Sequence, residues 1–148
     1  MKYNLKDTTF IIPLRIESAD RMRNVITSLC YLLSNFDTQV IVKEGDTSSL
    51  FLHHVVPQIK EFLEVDDVPN LLHLFEDTSA SEFHRTRYLN EMTHLATTKV
   101  VVNYDCDIIL PMPTYIKAQA MIVGGPSDVV YPYGFGNYAR MVQVDDET

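Results

Sequence analysis

A chain of 148 residues, 46% of them hydrophobic, can bury one core and is too short for two ordinary domains, so a single domain over 1–148 is expected. Its 12 basic and 20 acidic side chains give a formal net charge of -8, which argues against a nucleic-acid backbone or an anionic membrane as main partner. With two cysteines and no apolar run of membrane-spanning length, a soluble protein of a reducing, cytoplasmic setting is expected.

Thr8-Thr9-Phe10-Ile11-Ile12-Pro13 reads as the first strand, closed by a proline that cannot donate to a ladder. Ser18 or Asp20 can cap the helix after it, where Met22, Val25, Ile26, Leu29, Leu32 and Leu33 recur at steps of three and four and mark a core face. Gln39-Val40-Ile41-Val42 is the second strand, running into Lys43-Glu44-Gly45-Asp46, which reads as a polar turn. Thr47 or Ser48 then caps a second helix that reaches about Leu63. Val68-Pro69-Asn70 breaks it, and Leu71-Leu72-His73-Leu74-Phe75 is a third strand stopping at Glu76-Asp77. After Ser79 and Ser81, residues 83–96 read as a helix with Phe83, Tyr88, Leu89, Met92, Leu95 and Ala96 as its buried stripe.

Val100-Val101-Val102 is the most β-prone run, expected to be covered on both faces and to deliver Asp105 and Asp107 just past its carboxyl end. Pro113-Thr114 starts a fourth helix to about Val123, and Gly124-Gly125-Pro126-Ser127 turns the chain into a further strand at Asp128-Val129-Val130-Tyr131. The acidic tail from Gln143 is expected to fray. Strand and helix alternate throughout, which predicts an α/β domain with a mostly parallel sheet and flanking helices. Three strand ends carry acids: Glu44 and Asp46, Glu76 and Asp77, Asp105 and Asp107. In a parallel sheet they gather along the edge where ligands enter.

Two carboxylates one residue apart repel by roughly 3 kcal/mol at about 5 Å and an effective dielectric near 20, so a bound cation relieves them. Their hard oxygens suit magnesium or manganese. The plainer alternative is a solvated strand end. Arg85 and Arg87 stand two apart on a helix and cannot point the same way, and Arg15 can pair with Glu17. The histidines lack metal-ligand spacing, and Cys106 reads as a small filler whose flanking carboxylates disfavour a thiolate.

Four segments in this order resemble nucleotide-sugar glycosyltransferases of the GT-A fold, the class of the family 2 transferases and of the amino-terminal region of the β-1,4-galactosyltransferases. They are Phe10-Ile11-Ile12-Pro13-Leu14-Arg15, Val40-Ile41-Val42-Lys43-Glu44-Gly45-Asp46, Phe83-His84-Arg85-Thr86-Arg87-Tyr88-Leu89-Asn90 and the Asp-x-Asp motif Asp105-Cys106-Asp107. Tyr131-Pro132-Tyr133-Gly134 resembles a later segment of the same family. The resemblance implies a Rossmann-like GT-A domain that binds a nucleoside diphosphate sugar, a UDP-sugar foremost, and transfers the sugar to a glycan or other acceptor. It implies that Asp107 binds Mn2+ or Mg2+ directly and that Asp105 reaches the ion or the ribose. Arg85, and then Arg15, would face the nucleotide or its phosphates, Asn90 would pin the strand edge, and Glu44 would accept from the base or ribose.

Familiar members of the family carry a second half that binds the acceptor and supplies a catalytic base. Here no histidine follows Asp107, and the downstream acids Asp128, Asp145, Asp146 and Glu147 match no such base motif. The expectation is a donor-binding part whose acceptor side is reduced or missing, with the catalytic base unassigned. A non-catalytic nucleotide-sugar-binding module, or one completed by a second copy or a partner chain, is therefore the alternative. An Asp-x-Asp phosphohydrolase is a weaker one, since that class wants its acids after the first strand. A nucleotidyltransferase wants a glycine-rich loop there.

Overall fold

Phe10, Ile11, Ile12 and Leu14 are all buried because their strand lies in the middle of the sheet, with a neighbour on each side and helices on both faces. The computed structural model describes residues 2–78 and 83–132. In chain order these form β1 (Tyr3–Leu14), α1 (Ala19–Asn35), β2 (Phe36–Asp46), a π-helical turn (Phe51–Val55) continuing into α2 (Val56–Leu63), β3 (Leu71–Asp77), α3 (Arg85–Leu95), β4 (Val100–Asn103) and α4 (Met112–Val123). Among the described residues the sheet order is β3-β2-β1-β4, and every pairing is parallel. The described residues thus form an α/β fold with a four-stranded parallel sheet and flanking helices, consistent with a Rossmann-like arrangement.

One face of the sheet presents Phe10, Ile12, Leu14, Val40 and Val42 to Val25, Leu29 and Leu33 of α1, to Phe51 and Ile59, and to Tyr115 of α4. The other presents Ile11 and Ile41 to Tyr88 and Met92 of α3, a much smaller cluster. Of the two cap candidates, Ser18 and Asp20, Ser18 caps α1, its hydroxyl accepting from the Arg21 N–H at 3.1 Å.

The structure departs from the sequence-based expectations in several places. Residues 43–46, expected as a turn, continue β2 and pair with Leu74, Phe75, Glu76 and Asp77 of β3. Polarity gave the wrong signal there because Glu44 is enclosed among hydrogen-bond donors instead of facing water. The helix after β2 starts later than Thr47 or Ser48, with the Ser49 hydroxyl accepting from the Leu52 N–H at 3.0 Å. β4 is a four-residue edge strand in which Val100 is buried and Val101 and Val102 only half so, since no described strand lies beyond it. Of the predicted α3 stripe, Tyr88 and Met92 are buried and Leu95 is exposed, because the small second cluster is too narrow to cover it. Residues 128–131 are not a strand, and Val129 and Tyr131 are 70% and 75% exposed. Ser79, Ser81, Tyr133, Gly134 and the acidic tail lie outside the described residues. Among the described residues no helix is long and apolar enough to cross a membrane.

Candidate functional site

From β1 the chain steps to β2 and then β3 in one direction, and returns as β4 on the other side of β1. That reversal opens a crevice between the carboxyl ends of β1 and β4, where open α/β sheets take their ligands because no connection covers it. A pocket of about 420 Å³ lies at this position. Pro13, Arg15 and Glu17 reach it from the end of β1, and Arg21 from the first turn of α1. Phe83 and Arg85 enter from the start of α3, and Asp105, Cys106 and Asp107 from the loop after β4.

The acidic loop is held by the core beneath it. The Tyr104 N–H continues the ladder to the Ile11 carbonyl at 3.0 Å, and the Tyr104 ring packs edge-on against Phe10 at 5.2 Å. The Ser28 hydroxyl donates to the Cys106 carbonyl at 2.6 Å, and the Tyr31 hydroxyl to that of Leu110 at 2.7 Å. The Tyr104 hydroxyl donates to the Ile108 carbonyl, and the Tyr115 hydroxyl accepts from the Leu110 N–H at 2.9 Å. With its backbone tied down in this way, the loop presents Asp105 and Asp107 to solvent, both exposed.

The pocket's charges balance in number, since Arg15, Arg21 and Arg85 line it together with Glu17, Asp105 and Asp107. Arg85 Nη2 lies 3.0 Å from Asp105 Oδ1, and Arg15 Nε lies 4.0 Å from Glu17. Arg21 Nη1 donates to Cys106 Sγ at 3.8 Å. Burial raises the Cys106 thiol above its ordinary value, and although Arg21 opposes that, the two aspartates add to it, so the thiol stays neutral. That agrees with a filler rather than a nucleophile. A smaller hollow of about 180 Å³ adjoins the pocket, sharing Arg21, Cys106 and Asp107 and adding Ser18, Asp20 and Asn24.

Comparison with protein-family models, with curated proteins and with solved structures gave no match.

Of the residues singled out in the sequence, Arg15, Arg85, Asp105 and Asp107 come together here, whereas Glu44 and Asn90 do not line the pocket. Asn90 is exposed on α3. Glu44 is fully buried at the end of β2, accepting from the Ser49 hydroxyl at 2.6 Å, from the Leu50 and Phe51 N–H groups at 3.1 Å each, and facing His73 Nε2 at 3.1 Å. The acids of β3 form a separate cluster: Glu76 takes the Arg87 fork and the Tyr88 hydroxyl. The gathered acidic edge is thus split in two by β1.

Among the described residues no group of three or more His, Cys, Asp or Glu side chains converges as a cage for a metal. Asp105 and Asp107 supply hard oxygens that fit a divalent ion keeping several waters and sharing phosphate oxygens, as magnesium and manganese do. Sequence reasoning missed Arg21 and assigned Phe83 to the core. The signal for Arg21 was its place three residues after the cap Ser18, since the helix after a parallel strand begins at the carboxyl edge of the sheet.

Proposed function

We propose that the pocket binds a nucleoside diphosphate sugar, a UDP-sugar foremost, together with Mn2+ or Mg2+, and that the chain is a metal-dependent glycosyltransferase of GT-A type acting on a glycan or other acceptor. The observation that carries this reading is the gathering of three of the chain's six arginines with Asp105 and Asp107 at the switch point of a parallel sheet, on a molecule of net charge -8. Guanidinium forks suit phosphate oxygens, and carboxylates suit the counter-ion. Asp107, with Asp105, would hold the ion, which when bound supplies Lewis-acid stabilisation of the diphosphate leaving group. Arg15, Arg21 and Arg85 neutralise the phosphates, and half-buried Phe83 offers an apolar wall to a base or sugar face. Asp20 and Asn24 in the adjoining hollow are hydrogen-bond partners for the hydroxyls of the transferred sugar. The two buried free thiols, Cys30 and Cys106, suit a reducing, cytoplasmic setting.

A second reading, a nucleotide-sugar-binding module that is non-catalytic or completed by a second copy or a partner chain, is favoured by one feature of the same lining. Asp105 and Glu17 are engaged by arginines and Asp107 is assigned to the ion, which leaves no described pocket group as a general base.

Calorimetry with UDP in the presence of manganese tests the reading: binding is expected, and Asp107→Ala is expected to weaken it by about tenfold or more through loss of the ion. Absence of UDP binding to the unaltered chain would overturn it. Release of sugar from UDP-sugars, lost in Asp107→Ala, separates the enzyme from the binding module.

A further inference from the structure

We propose that Ser28, a residue of α1 lying 78 positions before Cys106, is a positioning residue for the donor: its hydroxyl fixes the peptide that joins Cys106 to Asp107 and so sets where Asp107 points. This rests on the reading of the pocket as a nucleoside diphosphate site and names what directs its metal-binding acid.

Asp105 to Ile108 form a turn, with the Ile108 N–H donating to the Asp105 carbonyl at 3.4 Å. Inside it Cys106 belongs to the main core cluster, while Asp105 and Asp107 on either side are exposed. The Cys106–Asp107 peptide is the central one of this turn. A central peptide can rotate by about half a circle between two turn types, which carries the residue after it from negative to positive φ. Aspartate tolerates both conformations. Asp107 is held at negative φ, since among the described residues Glu64 alone has a positive φ outside glycine.

The Ser28 hydroxyl donates to the Cys106 carbonyl at 2.6 Å, and the bond is buried, so water does not compete for it. A helical serine or threonine can instead bond back to the carbonyl four residues earlier, as the neighbouring Thr27 does to Arg23 at 2.9 Å. Two further residues on the same stripe of α1 reach the loop: Arg21 donates to Cys106 Sγ at 3.8 Å and Tyr31 to the Leu110 carbonyl at 2.7 Å. Of these three contacts, only the one from Ser28 falls on the peptide that carries Asp107. Without that hydroxyl the Cys106 carbonyl loses a buried donor. Rotation of the peptide toward solvent recovers one and turns Asp107 off the pocket.

Calorimetric titration of UDP at a series of manganese concentrations, in the unaltered chain, Ser28→Ala, Asp107→Ala and the double variant, tests this. Ser28→Ala is expected to raise the manganese concentration that half-supports UDP binding by about tenfold, while the amount of UDP bound per folded chain at saturation stays the same. In the Asp107→Ala background no acid is left to direct, so there Ser28→Ala is expected to change UDP affinity by less than about twofold. An equal effect of Ser28→Ala with Asp107 present and absent, an unchanged manganese requirement, or UDP binding that needs no manganese would overturn the role while leaving the nucleotide pocket intact. If the unaltered chain binds no UDP at any manganese concentration, the donor-site reading falls and the role of Ser28 falls with it. Thermal melts set a temperature at which all four proteins are folded, so that lost stability is not read as lost binding.

Discussion

Glu44 is a carboxylate with 0% exposure, and such a group survives burial only when its partners replace water. Burial pushes its pKa up, but hydrogen bonds from His73, Ser49 and the Phe51 N–H, with the His73 charge, outweigh that and hold it below the ordinary glutamate value. Its oxygens cap the first N–H groups of the helix after β2, and the ring of His73 stacks on Phe51 at 4.8 Å to complete the enclosure. Glu44→Ala strips several buried donors of their acceptor and is expected to cost about 3 kcal/mol of unfolding free energy, read as a fall in urea midpoint. UDP binding at temperatures where the variant is folded is expected to persist, because Glu44 does not line the pocket. The family resemblance implied instead a contact to the base or ribose, and an acid within Lys43-Glu44-Gly45-Asp46 looks solvated until His73, 29 residues on, is folded against it. Arg21 went unnoticed for the opposite reason: an arginine in a first helical turn looks like ordinary solvated surface, and only the packing of α1 beside the loop after β4 turns it inward.

At the scale of elements, the end of β2 is shaped by a single glycine. A Cβ on Gly45 would stand 2.2 Å from the Tyr88 hydroxyl and 2.9 Å from two of its ring carbons. Tyr88 cannot swing aside, because its ring is fully buried against Ile11, Ile41 and Met92 and its hydroxyl donates to Glu76 at 3.0 Å. Gly45→Ala is therefore expected to lower stability by about 1–3 kcal/mol, seen as a fall in Tm. α1 was legible because its apolar residues recur at steps of three and four, β1 and β3 because they are short apolar runs, and α4 because Pro113 marks its start. The last four residues of β2 were not, because the burial of Glu44 and the close approach to Gly45 come from distant partners. Asp128-Val129-Val130-Tyr131 has the residues of a strand, but strand propensity is realised only where a neighbour offers a ladder and a covered face.

For the whole molecule, the parallel order β3-β2-β1-β4 explains why the acids sort into a β2–β3 group that stabilises and a β1–β4 group that lies open to ligands. Alternation in the sequence made the parallel sheet legible, but the reversal between β1 and β4, which decides where the pocket lies, is a property of strand order and has no local signal. The carboxyls of Glu44 and Glu76 are both held below their ordinary values, Glu76 chiefly by the Arg87 hydrogen bonds. A depressed carboxyl contributes stability that is present above its unfolded pKa and is lost as pH falls through the folded value. Tm is therefore expected to hold between about pH 7 and pH 5 and to drop below about pH 4.3, the ordinary glutamate value. Glu44→Gln is expected to blunt that drop, whereas Arg87→Gln changes it less, because the Glu76 pair is partly exposed and screened. The loop that carries Asp105 and Asp107 obeys different rules. Its backbone is gripped by hydroxyls of Ser28, Tyr31, Tyr104 and Tyr115, and burial raises the pKa of all three tyrosines, so the grip stays uncharged in neutral solution. The mounting is thus made of uncharged hydroxyls, while the groups it displays are ionic. Asp105 and Asp107 can therefore be substituted without loosening how the loop is held.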